Sequence, residues 1–159
     1  SVVRTNPSEG QRPVTAIAHR HTIARLRSDA SVSVERLLEV TGAMSALPCA
    51  IHGGGQGAGA EMHIALEDVH HLDALLTRLE TEFSDTVTVD LDHGTVSVVG
   101  HGLGDTPQLL RAILATARQV AGVDVPLRLG ALSVTLTLPK DAVDETLRRL
   151  HQEFIEGDG

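Results

Sequence analysis

Apolar positions along the chain switch repeatedly between two spacings, one that suits a strand and one that suits a helix. Alternation predicts a first strand from Thr15 to Arg27. Val34, Leu37, Leu38, Thr41 and Met44 then recur at helical spacing, with Ser31 or Ser33 placed to cap the helix start. Pro48 to His52 reads as a short buried strand. A glycine-rich stretch, Gly53 to Gly59, leads to Met62, Ile64 and Leu66, which alternate as a half-buried strand does. A second helix is expected from Glu67 to Phe83, with Val69, Leu72, Leu76, Leu79 and Phe83 inward. Val87, Val89 and Leu91 form a strand, closed by a turn at Asp92-His93-Gly94.

The same order then restarts. Val96 and Val98 mark a strand, Gly100 to Thr106 a loop, and Pro107 the first position of a helix carrying Leu109, Leu110, Ile113, Leu114 and Ala117. Val123 to Leu129 and Leu132 to Leu138 read as strands joined at Gly130. Asp141 to Phe154 reads as a helix with Val143, Leu147, Leu150 and Phe154 inward. The halves superpose: Leu37-Leu38 on Leu109-Leu110, and Met62, Ile64 and Leu66 on Val134, Leu136 and Leu138, always 72 positions apart. Phe83 and Phe154 are 71 apart. Element order, length and strand phase agree over the whole period, which makes this an internal repeat.

Each repeat is strand–helix–strand–strand–helix–strand, an α+β arrangement with an antiparallel sheet and both helices on one face. The first unit is expected at 15–93 and the second at 94–156. The second lacks a strand after Phe154, and a strand from 1–14, around Ser1 to Thr5, is expected to complete it. The first unit is then an insertion in the second. The sheet face without helices favours pairing, either of the two units or of two chains.

Composition narrows the function. The chain has 159 residues, a net charge of −8, two Phe and no Tyr or Trp. Flat rings and a basic stripe are what nucleic-acid binding uses, so that class is disfavoured. Twelve arginines accompany a single lysine, Lys140. The one cysteine, Cys49, lies in the apolar run Leu47 to Ile51, reads as a buried thiol, and fits a reducing, cytoplasmic setting. No apolar run approaches the ~20 residues of a membrane span. The opening Ser-Val-Val-Arg-Thr-Asn-Pro reads as a piece of a longer polypeptide.

Val96-Ser-Val-Val-Gly100-His-Gly102-Leu103, the proline-led helix after it, Val123-Asp-Val, Leu132 to Leu138, and a closing Leu150-His151-x-x-Phe154 together resemble the second ACT domain of aspartokinases. Glu67-Asp68 through Leu79, with Val87 to Gly94, is similar to the link between that family's two ACT domains. Arg4-Thr5-Asn6-Pro7 resembles the segment leaving its kinase domain. The resemblance implies two ferredoxin-like ACT units: the regulatory portion of an aspartate kinase, with the ATP-dependent kinase domain absent and no cofactor. It implies a role in lysine, threonine and methionine synthesis, with a small amino-acid effector (lysine or threonine), homodimerisation through the ACT units, and a catalytic domain or large subunit as partner. An ACT regulator of another amino-acid pathway enzyme, or a dimerisation module without a ligand, are the alternatives.

Carried onto this sequence, the effector residues are Asp29, Ala30, Ser31, Val32 and Gln56 in the first unit, and Gly102, Leu103, Asp105 and Thr106 in the second. An amino acid's carboxylate suits backbone N–H groups at a helix start, and its ammonium suits a carboxylate. Asp29 and Asp105 read equally as turn or cap residues. Where the family carries Asp-x-Pro-Gly, this chain has Asp29-Ala-Ser-Val32, and its strand-to-turn elements are His52-Gly-Gly-Gly-Gln56-Gly and Pro126-Leu-Arg128-Leu-Gly130. Gly55-x-Gly57-x-x-Ala60 precedes a strand where a dinucleotide site needs a helix. The nine histidines, His19-x-His21 and His70-His71 among them, read as surface residues and not as a metal site.

Overall fold

The computed structural model describes residues 14–53 and 58–156. Residue contacts divide them into two units, Thr22–His93 on one side and residues 14–21 with 94–156 on the other.

In Thr22–His93 the second half of β1 (Val14–Ser28) leads into α1 (Val34–Ala43), β2 (Pro48–Gly53), β3 (Ala60–Ala65), α2 (Leu72–Phe83) and the first half of β4 (Val87–Gly100). The strand order is β2-β3-β1-β4. β3 pairs antiparallel with β1, Leu26 opposite Met62 and Arg25 opposite His63, and also with β2. Alternation sends Ala24, Leu26, Met62 and Ile64 to one face. There they pack with Leu37 and Val40 of α1 and Leu75, Leu79 and Phe83 of α2. The sequence pattern placed Leu38 and Leu76 inward. Leu38 is exposed and Leu75 is buried in place of Leu76. The reason is that α2 begins at Leu72, after a single helical turn at Leu66–Asp68, so its i, i+4 stripe runs Leu75, Leu79, Phe83.

The other unit repeats the plan with the second half of β4, α3 (Pro107–Ala121), β5 (Leu127–Leu129), β6 (Ser133–Pro139) and α4 (Val143–His151). Its order is β5-β6-β4-β1. Val96, Val98, Val134, Leu136 and Leu138 pack with Ile113, Ala117, Val143 and Leu150 as its core. Positions 72 apart, Met62 with Val134 and Ile64 with Leu136, hold the same place in each unit. The strand beside β4 at the end of this order is residues 14–21 of β1, whereas the sequence reading placed Thr15 onward in the first unit. Ser1 to Thr5, expected as that strand, lies outside the described residues.

Two further expectations change. Asp92-His93-Gly94 is not a turn; β4 runs through it unbroken. The glycine is needed because β1 passes so close that a Cβ on Gly94 would stand 2.4 Å from the His21 carbonyl oxygen. β5 is three residues long, because α3 ends at Gly122 in a left-handed conformation (φ 73°) and Val123 and Asp124 are exposed. Among the described residues no helix is long and apolar enough to cross a membrane.

Candidate functional site

The turn from β1 into α1 is built by Asp29. Its carboxylate accepts the Ser31 N–H at 2.8 Å and also the Ser31 hydroxyl, while its carbonyl accepts the Val32 N–H at 3.2 Å. The Ser31 hydroxyl, followed by the Ser31 amide, holds this exposed carboxyl below the usual aspartate range. The helix cap is Ser33, whose hydroxyl accepts the Arg36 N–H at 3.1 Å. Asp29 is therefore a turn residue and not the cap, and it already engages two of the backbone donors expected to meet a ligand. Ala30 and Ser31 are exposed, while Val32 belongs to the core.

The glycine-rich segment closes onto this turn. Ala60 N–H donates to Ser28 Oγ at 2.9 Å. A Cβ on Gly59 would fall 1.9 Å from the Ser28 carbonyl oxygen, so only glycine lets the backbone pass there. Gly53 meets Gly59 at the other end of the segment. Gln56, the side chain expected to face a ligand, lies outside the described residues.

The corresponding loop of the other unit is set by Gly102, in a left-handed conformation (φ 68°), and by Leu103, which is fully buried. The Gly102 carbonyl accepts both the Asp105 N–H and the Thr106 hydroxyl at 3.0 Å. Thr106 occupies the cap position of α3, but its hydroxyl is spent on Gly102; its carbonyl accepts the Leu109 and Leu110 N–H groups. Pro107 follows at the first helical position. Asp105 is exposed. Leu129 of β5 lies 3.4 Å from where a Gly104 Cβ would be, which brings the Pro126 to Gly130 element against this loop. Among the described residues, Asp29 to Val32 share the loop before α1 and Gly102 to Thr106 the loop before α3. Val32 and Leu103 anchor the loops from the core, and Asp29, Ser31 and Asp105 present polar atoms to solvent.

Sequence reasoning missed a buried ionic cluster. On the sheet face away from α1 and α2, Glu61 takes Arg25 Nε at 2.8 Å and His63 Nε2 at 2.7 Å. Arg25 and His63 are both buried. Burial, the largest influence, raises the Glu61 carboxyl, but the bonds and charges of Arg25 and His63 together outweigh it and bring it down to about 2. The available signal was Arg25-x-Arg27 and Glu61-x-His63, charged positions alternating out of phase with Leu26 and Met62. Cys49, read as buried, is exposed, its thiol donating to the His63 carbonyl at 3.4 Å. β2 is short and lies at the end of its strand order, which leaves that side chain uncovered.

Shallow concavities among the described residues lie along α3 (Gln108 to Arg118, about 460 Å³), at Thr116, Gln119 and Arg149, and at His70 to Ala74; these three contain none of the expected effector residues. Among the described residues no group of three or more His, Cys, Asp or Glu side chains could hold a metal ion.

The sequence matches no protein-family model and no curated protein. Solved structures do match. The ligand-free regulatory subunit of aspartate kinase from Thermus thermophilus has a TM-score of 0.71 at 18% identity, over 90% of this chain and 99% of that one. Aspartate kinase from Clostridium acetobutylicum gives 0.71 at 14% identity, over 93% of this chain and 36% of that one. E. coli aspartokinase III in complex with lysine and aspartate, in its T-state, gives 0.65 at 17%, over 94% and 35%. The chain spans about a third of those two kinases and nearly all of the separate regulatory subunit. At these identities the likeness is one of fold: two ferredoxin-like units, shared with the regulatory subunit and with about a third of each of the two kinases.

Proposed function

We propose that this chain is the regulatory portion of an aspartate kinase, acting on an ATP:aspartate phosphotransferase domain or subunit in the cytoplasm. The observation that carries the reading is the likeness of fold to an aspartate kinase regulatory subunit over 90% of this chain and 99% of that one. In this reading an effector amino acid, lysine or threonine, binds at the Asp29–Val32 loop with Gln56, or at Gly102–Thr106. Two copies associate through their ACT units, and occupancy is transmitted to the kinase. Each loop presents a carboxylate for an ammonium group next to a helix start for a carboxylate group. Calorimetry with lysine and with threonine tests it. Saturable heat from one of them is expected, and no heat from either, or from other common amino acids, removes the sensing role.

A second reading, a dimerisation module without a ligand, is favoured by one observation: the Asp29 carboxylate is already committed to Ser31. It predicts a dimer whose mass and stability ignore every amino acid. A monomeric mass at high concentration would rule it out.

A further inference from the structure

Ile17, His19 and His21 alternate along β1 and so project from the same side of the strand. Ile17 packs against the core formed with α3 and α4, which places the two histidines on the helix side, beyond the last core residue. Their Nε2 atoms stand 3.2 Å apart, and the rings meet edge to face with centroids at 4.7 Å. His21 turns its other nitrogen, Nδ1, to Asp144 Oδ1 at 3.4 Å, in the first turn of α4. Both rings are exposed.

A carboxylate beside Nδ1 favours the tautomer with its proton there, which leaves His21 Nε2 as a lone pair. His19 Nε2 then donates to it. Two nitrogens bound to one tetrahedral zinc at about 2.0–2.1 Å lie roughly 3.3 Å apart, so the rings already hold the spacing of neighbouring ligands. Capturing an ion requires the two exposed rings to turn so that both Nε2 lone pairs aim at the ion instead of at each other.

We propose that His19 and His21 form a two-histidine chelate for a borderline divalent ion of the Zn²⁺, Ni²⁺ and Cu²⁺ class, with Asp144 as its positioning residue. Imidazole nitrogens suit these ions and not Mg²⁺ or Ca²⁺, which take oxygen ligands. With two protein ligands the remaining positions are open to water, and binding is weaker than at a closed structural zinc site.

The test is titration of zinc chloride into the whole chain near neutral pH, followed by calorimetry and by the side-chain nitrogen resonances of the histidines. One equivalent is expected to move the Nε2 resonances of His19 and His21 together. His19→Ala and His21→Ala should each weaken binding at least about tenfold, and Asp144→Asn should weaken it with both Nε2 shifts retained. A His70→Ala/His71→Ala variant should bind as the parent does. All five side chains are exposed, so circular dichroism should be unchanged in every variant. The proposal fails if the His19→Ala/His21→Ala chain binds zinc like the parent, if the shifts fall on other histidines, or if magnesium chloride produces the same response.

Discussion

Gly94 passes the carbonyl of His21 so closely that a Cβ there would stand 2.4 Å from the oxygen, with the Arg20 carbonyl at 2.5 Å. Both obstacles are backbone, so a flexible side chain cannot relieve the clash. Gly94→Ala should therefore destabilise the fold by about 3 kcal/mol, the upper end of ordinary overpacking. Gly122 makes the contrast: its Cβ would meet nothing within 4 Å, and only its left-handed φ of 73° is at stake. Gly122→Ala should cost about 1 kcal/mol. Urea unfolding of the two variants side by side checks the ranking.

Glu61 is the common partner of Arg25 and His63, so Glu61→Ala leaves two buried polar groups without it. A loss of about 3–5 kcal/mol is expected from breaking such a cluster on one side. The same carboxyl predicts a pH dependence. Its folded pKa, about 2, lies below the ordinary glutamate value of 4.5, so the unfolded chain binds more protons between them. The stabilisation is complete above about pH 4.5 and is lost as the pH falls through 2. The acid limb of an unfolding curve should be steeper for the parent than for Glu61→Gln.

Asp29→Ala removes two bonds to Ser31 in an exposed turn, while Ser33 still caps α1. The melting temperature should move by less than about 3 °C. If the first loop holds the effector, its heat of binding should disappear in this variant while the fold stays intact. Asp105→Ala separates the loops, because only a site at Gly102–Thr106 responds to it.

Leu136 is fully buried on the core face of β6, at the position matched by Ile64 in the other unit. Leu136→Ala should cost about 2–5 kcal/mol. Leu132→Ala, 55% exposed just before the same strand, should cost less than about 0.5 kcal/mol. Thermal unfolding measures both.

Much of this architecture was legible because one-sided burial imposes a period on the sequence. Met62, Ile64, Val134 and Leu136 alternate because helices cover only one face of their strands. The features that escaped depend on contacts between distant segments. Asp92-His93-Gly94 has turn composition, yet its glycine answers to the approach of β1, more than 70 positions earlier. Arg25, Glu61 and His63 look like solvent-facing residues until strand register brings them together. At the candidate loops the residues were locatable by analogy of position, but the bond from Ser31 to Asp29, which decides how much hydrogen-bonding capacity is left over, is a matter of geometry alone.

The close passage at Gly94 has one more consequence. The polypeptide leaves the second unit after His21 and comes back to it at Gly94, with these two residues in close approach on neighbouring strands. Thr22 to His93 is thus an insertion between two neighbouring strands of that unit. A gene spliced to join His21 to Gly94 through a two-residue Asn-Gly hairpin should therefore yield a chain that keeps the second unit's fold, as read by circular dichroism. A cut at residue 93, the place a linear reading of the repeat invites, would strip the second unit of its outer strand.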